Sequence, residues 1–189
     1  IVVQGLKDRD FWEIDCFVQQ CKMSAALAYM CQFQLSLPDT VVVHWVFESQ
    51  FWNDAVESAI RDAERLFNCR LNIIKRDRPR AAKYDRMLQL QPYYQNGRFY
   101  YNEKLKHKKD HQVAMAQLFG IEPGYNTKDD YPDAKKGVTD ECEKYVKEMQ
   151  SKYKFSITGI LLDEGENMSF SLEKFAKKIY RTSELCKDD

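Results

Sequence analysis

Long hydrophobic runs are missing from this 189-residue chain, and no apolar stretch approaches the roughly 18 residues of a membrane-spanning helix. No membrane partner is therefore expected. Net charge is missing too. The 29 Lys and Arg residues are matched by 29 Asp and Glu, which excludes a histone-like basic coat but leaves a local basic face open. The six cysteines, Cys16, Cys21, Cys31, Cys69, Cys142 and Cys186, form no CxxC, so a zinc ribbon is not encoded. A chain this size does not need disulfides, and free thiols in a reducing cytosol are expected. There is no GxGxxG and no GxxxxGK[ST], hence neither a dinucleotide fold nor a P-loop motor. There is no HExxH and no GxSxG. His44 reads as a core residue, and His107 and His111, in KHKKDH, read as part of a solvated basic face. Residues 1–6 are too short for a signal peptide. Ile1 opens inside an apolar run, so the chain is read as a fragment, with residues expected upstream.

What is present is ordinary for a globular domain: 44% hydrophobic and 31% charged residues, without repeats or low-complexity linkers. IVVQGL and FWEIDCFV, joined by the polar KDRD, predict a β-hairpin over 1–6 and 11–18. A helix follows over 24–36, with Ser24 as candidate N-cap and Pro38-Asp39 as breaker. VVVHWVFE (41–48) is apolar nearly throughout and predicts a strand buried on both faces. Asn53 or Asp54 caps a helix running to about Phe67, and LNIIK (71–75) is a second buried strand. A helix from about Pro79 to Gln91, an Asn96-Gly97 turn, a short strand over 98–102 and a helix over 109–119 come next. A loop over 120–128 leads to a long helix from DDYPDA to about Tyr153. Beyond it lie an apolar segment, FSITGILL, and a helix near 171–181. The order predicts an α/β fold, a mixed sheet with helices packed on it.

Two acidic features stand out. Glu48 closes an otherwise apolar strand, and strand C-termini are where open α/β sheets place ligands. Alternatively, the strand simply surfaces there. Asp129, Asp130 and Asp133 crowd the start of the long helix, where carboxylates are favoured by capping and the macrodipole alone. They are also the hard oxygen ligands that Mg²⁺ or Mn²⁺ requires. Two such ions about 4 Å apart activate a water and stabilise a leaving 3′ oxygen. Basic residues cluster locally: IIKRDRPRAAKYDR (73–86) carries Lys75, Arg76, Arg78, Arg80, Lys83 and Arg86 against Asp77 and Asp85. KLKHKK (104–109) adds four lysines. Such runs are usually solvated faces, but beside a candidate metal site they suggest a phosphate-backbone groove.

These residues, in this order, resemble the C-terminal nuclease domain of a tailed-phage or prophage large terminase. IVVQGLKDRDFWEIDCFV is similar to the hairpin after that domain's first strand. VVVHWVFESQFWND resembles the strand ending in an acidic residue. KYDRMLQLQPYYQNGRFYYNE resembles the Lys-x-x-Arg helix, the Pro and the Gly-Arg-hydrophobic strand. PGYNTKDDYPDAKKG resembles the DDxxDA signature. The likeness covers about residues 1–145. It implies a ribonuclease H-like mixed sheet with helices on both faces, over 1–149, and leaves 150–189 as an extension of unassigned role. It also implies a Mg²⁺- or Mn²⁺-dependent endonuclease that cuts concatemeric duplex DNA in the bacterial cytoplasm during phage assembly. By the same likeness Glu48, Asp129 and Asp130 are catalytic metal ligands, with Asp133 ranked lower. The first metal-binding acid has no counterpart and is expected upstream of Ile1. Lys75, Arg78, Arg80, Lys83 and Arg86 are expected on duplex DNA. The terminase ATPase domain, small terminase and portal protein are the implied partners. The alternatives are another ribonuclease H-like nuclease, of resolvase or transposase type, and a non-catalytic motor assembly module.

Overall fold

The computed structural model describes residues 1–77, 83–121 and 128–156. Strands β1 (Val2–Lys7) and β2 (Asp10–Cys16) form the expected antiparallel hairpin. Asp8 and Arg9 both take positive φ, 54° and 73°, the backbone that a two-residue turn needs to match strand twist. Strand β5 (Phe99–Tyr101) joins the other side of β2 in parallel. Strands β3 (His44–Glu48) and β4 (Asn72–Arg76) pair in parallel as a separate two-stranded sheet. The single mixed sheet expected from sequence is thus two pieces among the described residues.

Helices nevertheless cover both faces. Val2 and Val3 are neighbours on β1, so their side chains point to opposite sides. Val3 packs with Leu27, Met30 and Cys31 of α1 (Met23–Leu35), Ile60 of α2 (Asp54–Phe67), Trp45 of the second sheet and Leu71 just before β4. Val2 packs with Cys16, Ala114 of α5 (Lys109–Phe119) and Tyr131 of α6 (Asp130–Ser156). The far side of the second sheet also meets α6, through a His44–Tyr145 ring contact and through Arg76. The two sheet pieces therefore share both helical layers. The arrangement is mixed α/β, with α1 and α2 on one side and α5 and α6 on the other.

Several local expectations need correction. The 41–48 strand begins only at His44, and Val42 is 66% exposed. Within β3 only Trp45 is buried and His44 is exposed, so the run is not buried on both faces. Ser24 does not cap α1. The N-cap is Lys22, with no side-chain bond, and Ser24 lies inside the first turn. Asn53 does cap α2, its side chain accepting from Val56 N at 3.0 Å. The helix drawn over 79–91 is, where described, α3 (Lys83–Leu88) followed by α4 (Gln91–Gln95). Pro92 has no amide proton for the carbonyl four residues back, so it sits in the first turn of a new helix. Pro79, FSITGILL beyond Ser156 and the helix near 171–181 lie outside the described residues. No helix among the described residues is long and apolar enough to cross a membrane.

Candidate functional site

Glu48 ends β3 opposite Arg76, the last residue of β4. Its Oε2 accepts a 2.6 Å bond from Gln50 Nε2, because the chain turns at once into a short 3-10 segment over Ser49–Phe51. Arg76 reaches away from the sheet to α6. Its Nη1 donates to the Gly137 carbonyl at 2.7 Å, and its Nη2 to Asp140 at 2.9 Å. Gly137 is what lets the guanidinium lie on the helix backbone: a Cβ there would stand 3.2 Å from Nη1. The strand end that carries Glu48 is thereby tied to the first half of the helix that begins with the acidic cluster.

At the start of that helix Asp130 is exposed, and the carbonyl of Asp129 accepts from Asp133 N at 3.1 Å. Tyr131 and Pro132, between the acids, are buried and anchor the turn, and Tyr131 N donates to Gln117 Oε1 at 2.8 Å. The Ile1 amino group has its pKa lowered by burial, while charges that include Asp130 act the other way. Asp133 is held by Arg86 at 2.6 Å, so one candidate ligand and one candidate DNA contact neutralise each other. Glu48, Asp129 and Asp130 do not form a group with three ligand atoms within 4.8 Å of one another.

The other basic residues divide. Lys75 is half-exposed, 3.6 Å from Glu57 and 4.1 Å above the Trp52 ring. Trp52 Nε1 also donates to Glu57, whose carboxyl is held below its ordinary range first by that bond. Lys83 begins α3. Arg78 and Arg80 lie outside the described residues. In the second basic run Lys108 turns inward, to Asp15 at 2.5 Å and the Cys16 carbonyl at 2.9 Å.

A buried polar centre was not anticipated. Glu13 of β2 accepts at Oε2 from Lys135 Nζ at 2.5 Å and from the Tyr131 hydroxyl at 2.6 Å. The Lys135 ammonium lies over the Phe99 and Tyr101 rings at 4.6 and 4.7 Å. His111 Nδ1 approaches the other oxygen, Oε1, at 3.8 Å, and Cys16 completes a cluster of three ligand-type atoms within 4.8 Å. Simple alternation along β2 puts Glu13 and Cys16 on opposite faces. The register slips between Val3 and Gln4, leaving Ile14 as an extra residue, and this bulge brings both to the buried side. No local sequence pattern signals this centre, because Lys135 lies 122 residues after Glu13.

Compared with known proteins, the chain matches no family model, no curated protein and no solved structure.

Proposed function

We propose that this chain is a metal-dependent nuclease domain of ribonuclease H-like architecture, of the kind found in phage large terminases, acting on duplex DNA. The observation that carries this reading is the tie from Arg76 to α6. It couples the strand end bearing Glu48 to the helix opened by Asp129 and Asp130. The element order agrees: a hairpin, then two parallel strands each preceded by a helix of one layer, then a long helix on the opposite side. The resemblance sets one further strand, with another acid, beside these elements.

The donor set fits a hard cation. Glu48 and the Asp129–Asp130 pair offer carboxylate oxygens, the ligands Mg²⁺ and Mn²⁺ prefer. Asp133 is the weakest member because Arg86 already balances it. Bound ions would supply water activation and stabilisation of the leaving oxygen. The protein's part is to hold the strand end against the first half of α6 through Arg76, and to present Lys75 to the phosphate backbone. The terminase ATPase domain, small terminase and portal protein remain the partners that this reading names.

The test is cleavage of supercoiled plasmid with Mn²⁺ or Mg²⁺, beside calorimetric titration of each ion. Glu48→Ala and Asp130→Ala should each abolish cutting and weaken ion binding. Binding of neither ion, with no cutting, would favour the assembly-module alternative. Preference for branched over linear duplex would favour a resolvase-type enzyme.

A further inference from the structure

The proposed nuclease chemistry does not use Glu13, Cys16 and His111. The Glu13 side chain is wholly buried, and its Oε1 has no hydrogen-bond partner. His111 Nδ1, also buried, has none either, and the two atoms stand 3.8 Å apart. Buried polar atoms are nearly always paired, so two facing orphans call for something between them. The bulge at Ile14 adds Cys16 to the same group, in which one ligand atom each of Glu13, Cys16 and His111 lie within 4.8 Å of one another. Ligands on a tetrahedral zinc-class ion at about 2.0–2.3 Å lie roughly 3.3–3.8 Å from one another. The three atoms need only a small contraction.

We propose that Glu13 Oε1, Cys16 Sγ and His111 Nδ1 form a site for a borderline-soft divalent cation of the zinc class. A thiolate, an imidazole and a carboxylate together select that class over Mg²⁺ or Mn²⁺. Second-layer groups are already in place. Tyr131 and Lys135 fix the other oxygen of Glu13, and the Tyr101 ring packs against the imidazole at 5.4 Å. The Lys135 charge is directed to Oε2 and to the two aromatic faces. Lys108 is engaged by Asp15 and the Cys16 carbonyl. His111 also lines an open pocket of about 530 Å³ with Tyr101, Glu103, Lys106 and Gln112, which gives an ion a way in and a water the fourth position. On binding, the Cys16 thiol releases its proton to solvent as the sulfur–metal bond forms.

The experiment titrates the chelator-stripped 189-residue protein with Co²⁺, then displaces it with Zn²⁺. One equivalent of Co²⁺ should give a thiolate-to-cobalt charge-transfer band that Zn²⁺ removes. His111→Gln should weaken binding at least about tenfold, and Cys16→Ser should lose the band, with circular dichroism confirming the fold. If Cys16→Ser fails to fold, His111→Gln decides. Glu48→Ala and Asp130→Ala should keep the band, so failure of the nuclease reading leaves this one standing. Absence of the band in the parent protein, or its persistence in His111→Gln at unchanged affinity, would overturn the site.

Discussion

Lys135 of α6 and Glu13 of β2 meet at 2.5 Å with both side chains wholly removed from solvent. The ammonium of this ion pair also lies over two ring faces, which offset part of the cost of burying it. Removing one partner leaves the other charge stranded. Lys135→Met should therefore cost about 3–5 kcal/mol in urea unfolding, and Glu13→Gln combined with Lys135→Met should recover most of it. A single-mutant cost below about 1 kcal/mol would mean that the pair does not hold α6 to the hairpin.

How much of this was legible in the sequence depends on the residue. Asn53 announced α2 because a side-chain oxygen before an amphipathic run has one good use. Asn96-Gly97 announced the turn before β5, where Gly97 takes φ 63°. The bounds of α5 followed from its apolar spacing. The failures share a cause, which is that tertiary neighbours do not appear in a local pattern. The run VVVHWVFE has the composition of a central strand, yet only Trp45 is buried within β3. Glu13 carries no local mark of its burial, because neither the bulge at Ile14 nor a lysine 122 positions later shows in a local window. Of the predicted site, Glu48 at a strand end and the acids at a helix start were placed correctly as elements. The Arg76 tie between them was invisible, since a residue in a basic run looks solvated until its partner is known.

Alkaline pH should erode stability through Tyr93 and Cys142. Burial, helped by the hydrogen bond to Glu143, pushes Tyr93 from 10.0 up to about 12, and burial pushes Cys142 from 9.0 up to about 11. Both folded-state values lie above the unfolded ones. Their contributions are thus complete below pH 9 to 10 and are lost as pH rises through about 11 to 12. Lys135 acts in the opposite direction, since burial lowers its value. The readout is therefore a comparison. Tyr93→Phe and Cys142→Ala should each flatten the fall in unfolding free energy between pH 9 and 12. Curves parallel to that of the parent protein would count against these two groups.

DNA binding, if it uses the 75–86 run, should be strongly salt-dependent and weakly selective for sequence. Each phosphate contact contributes a slope of about −0.9 in log K against log[salt]. Lys75→Ala should reduce the slope by about that much, and Arg78→Ala with Arg80→Ala by about twice as much. Arg86→Ala should instead act through stability, because its charge is spent on Asp133. Fluorescence anisotropy at several salt concentrations separates these cases, and an unchanged slope in all of them would make the run a solvated face.

Gly137 and Arg76 give the most direct probe of the link between the strand end and α6. Alanine in place of glycine inside a helix ordinarily stabilises by about 0.8–1.0 kcal/mol. Here the new Cβ would lie 3.2 Å from Arg76 Nη1 and would disturb the 2.7 Å bond to the Gly137 carbonyl. Gly137→Ala should then gain much less than its helix propensity offers. Arg76→Ala should cost about 1.5–3 kcal/mol, the range for hydrogen bonds made by a charged group. In the Arg76→Ala background the guanidinium is gone, and Gly137→Ala should regain its ordinary benefit. The double-mutant cycle isolates that coupling, because the two residues touch and their effects should not add. On the nuclease reading Arg76→Ala should also lower Mn²⁺-dependent cleavage, whereas Lys144→Ala, at a largely exposed site on the same helix, should not. Strict additivity would show that Arg76 does not clamp α6 through Gly137. Unchanged cleavage in a folded Arg76→Ala protein would remove the main support for placing Glu48 and Asp130 in one site.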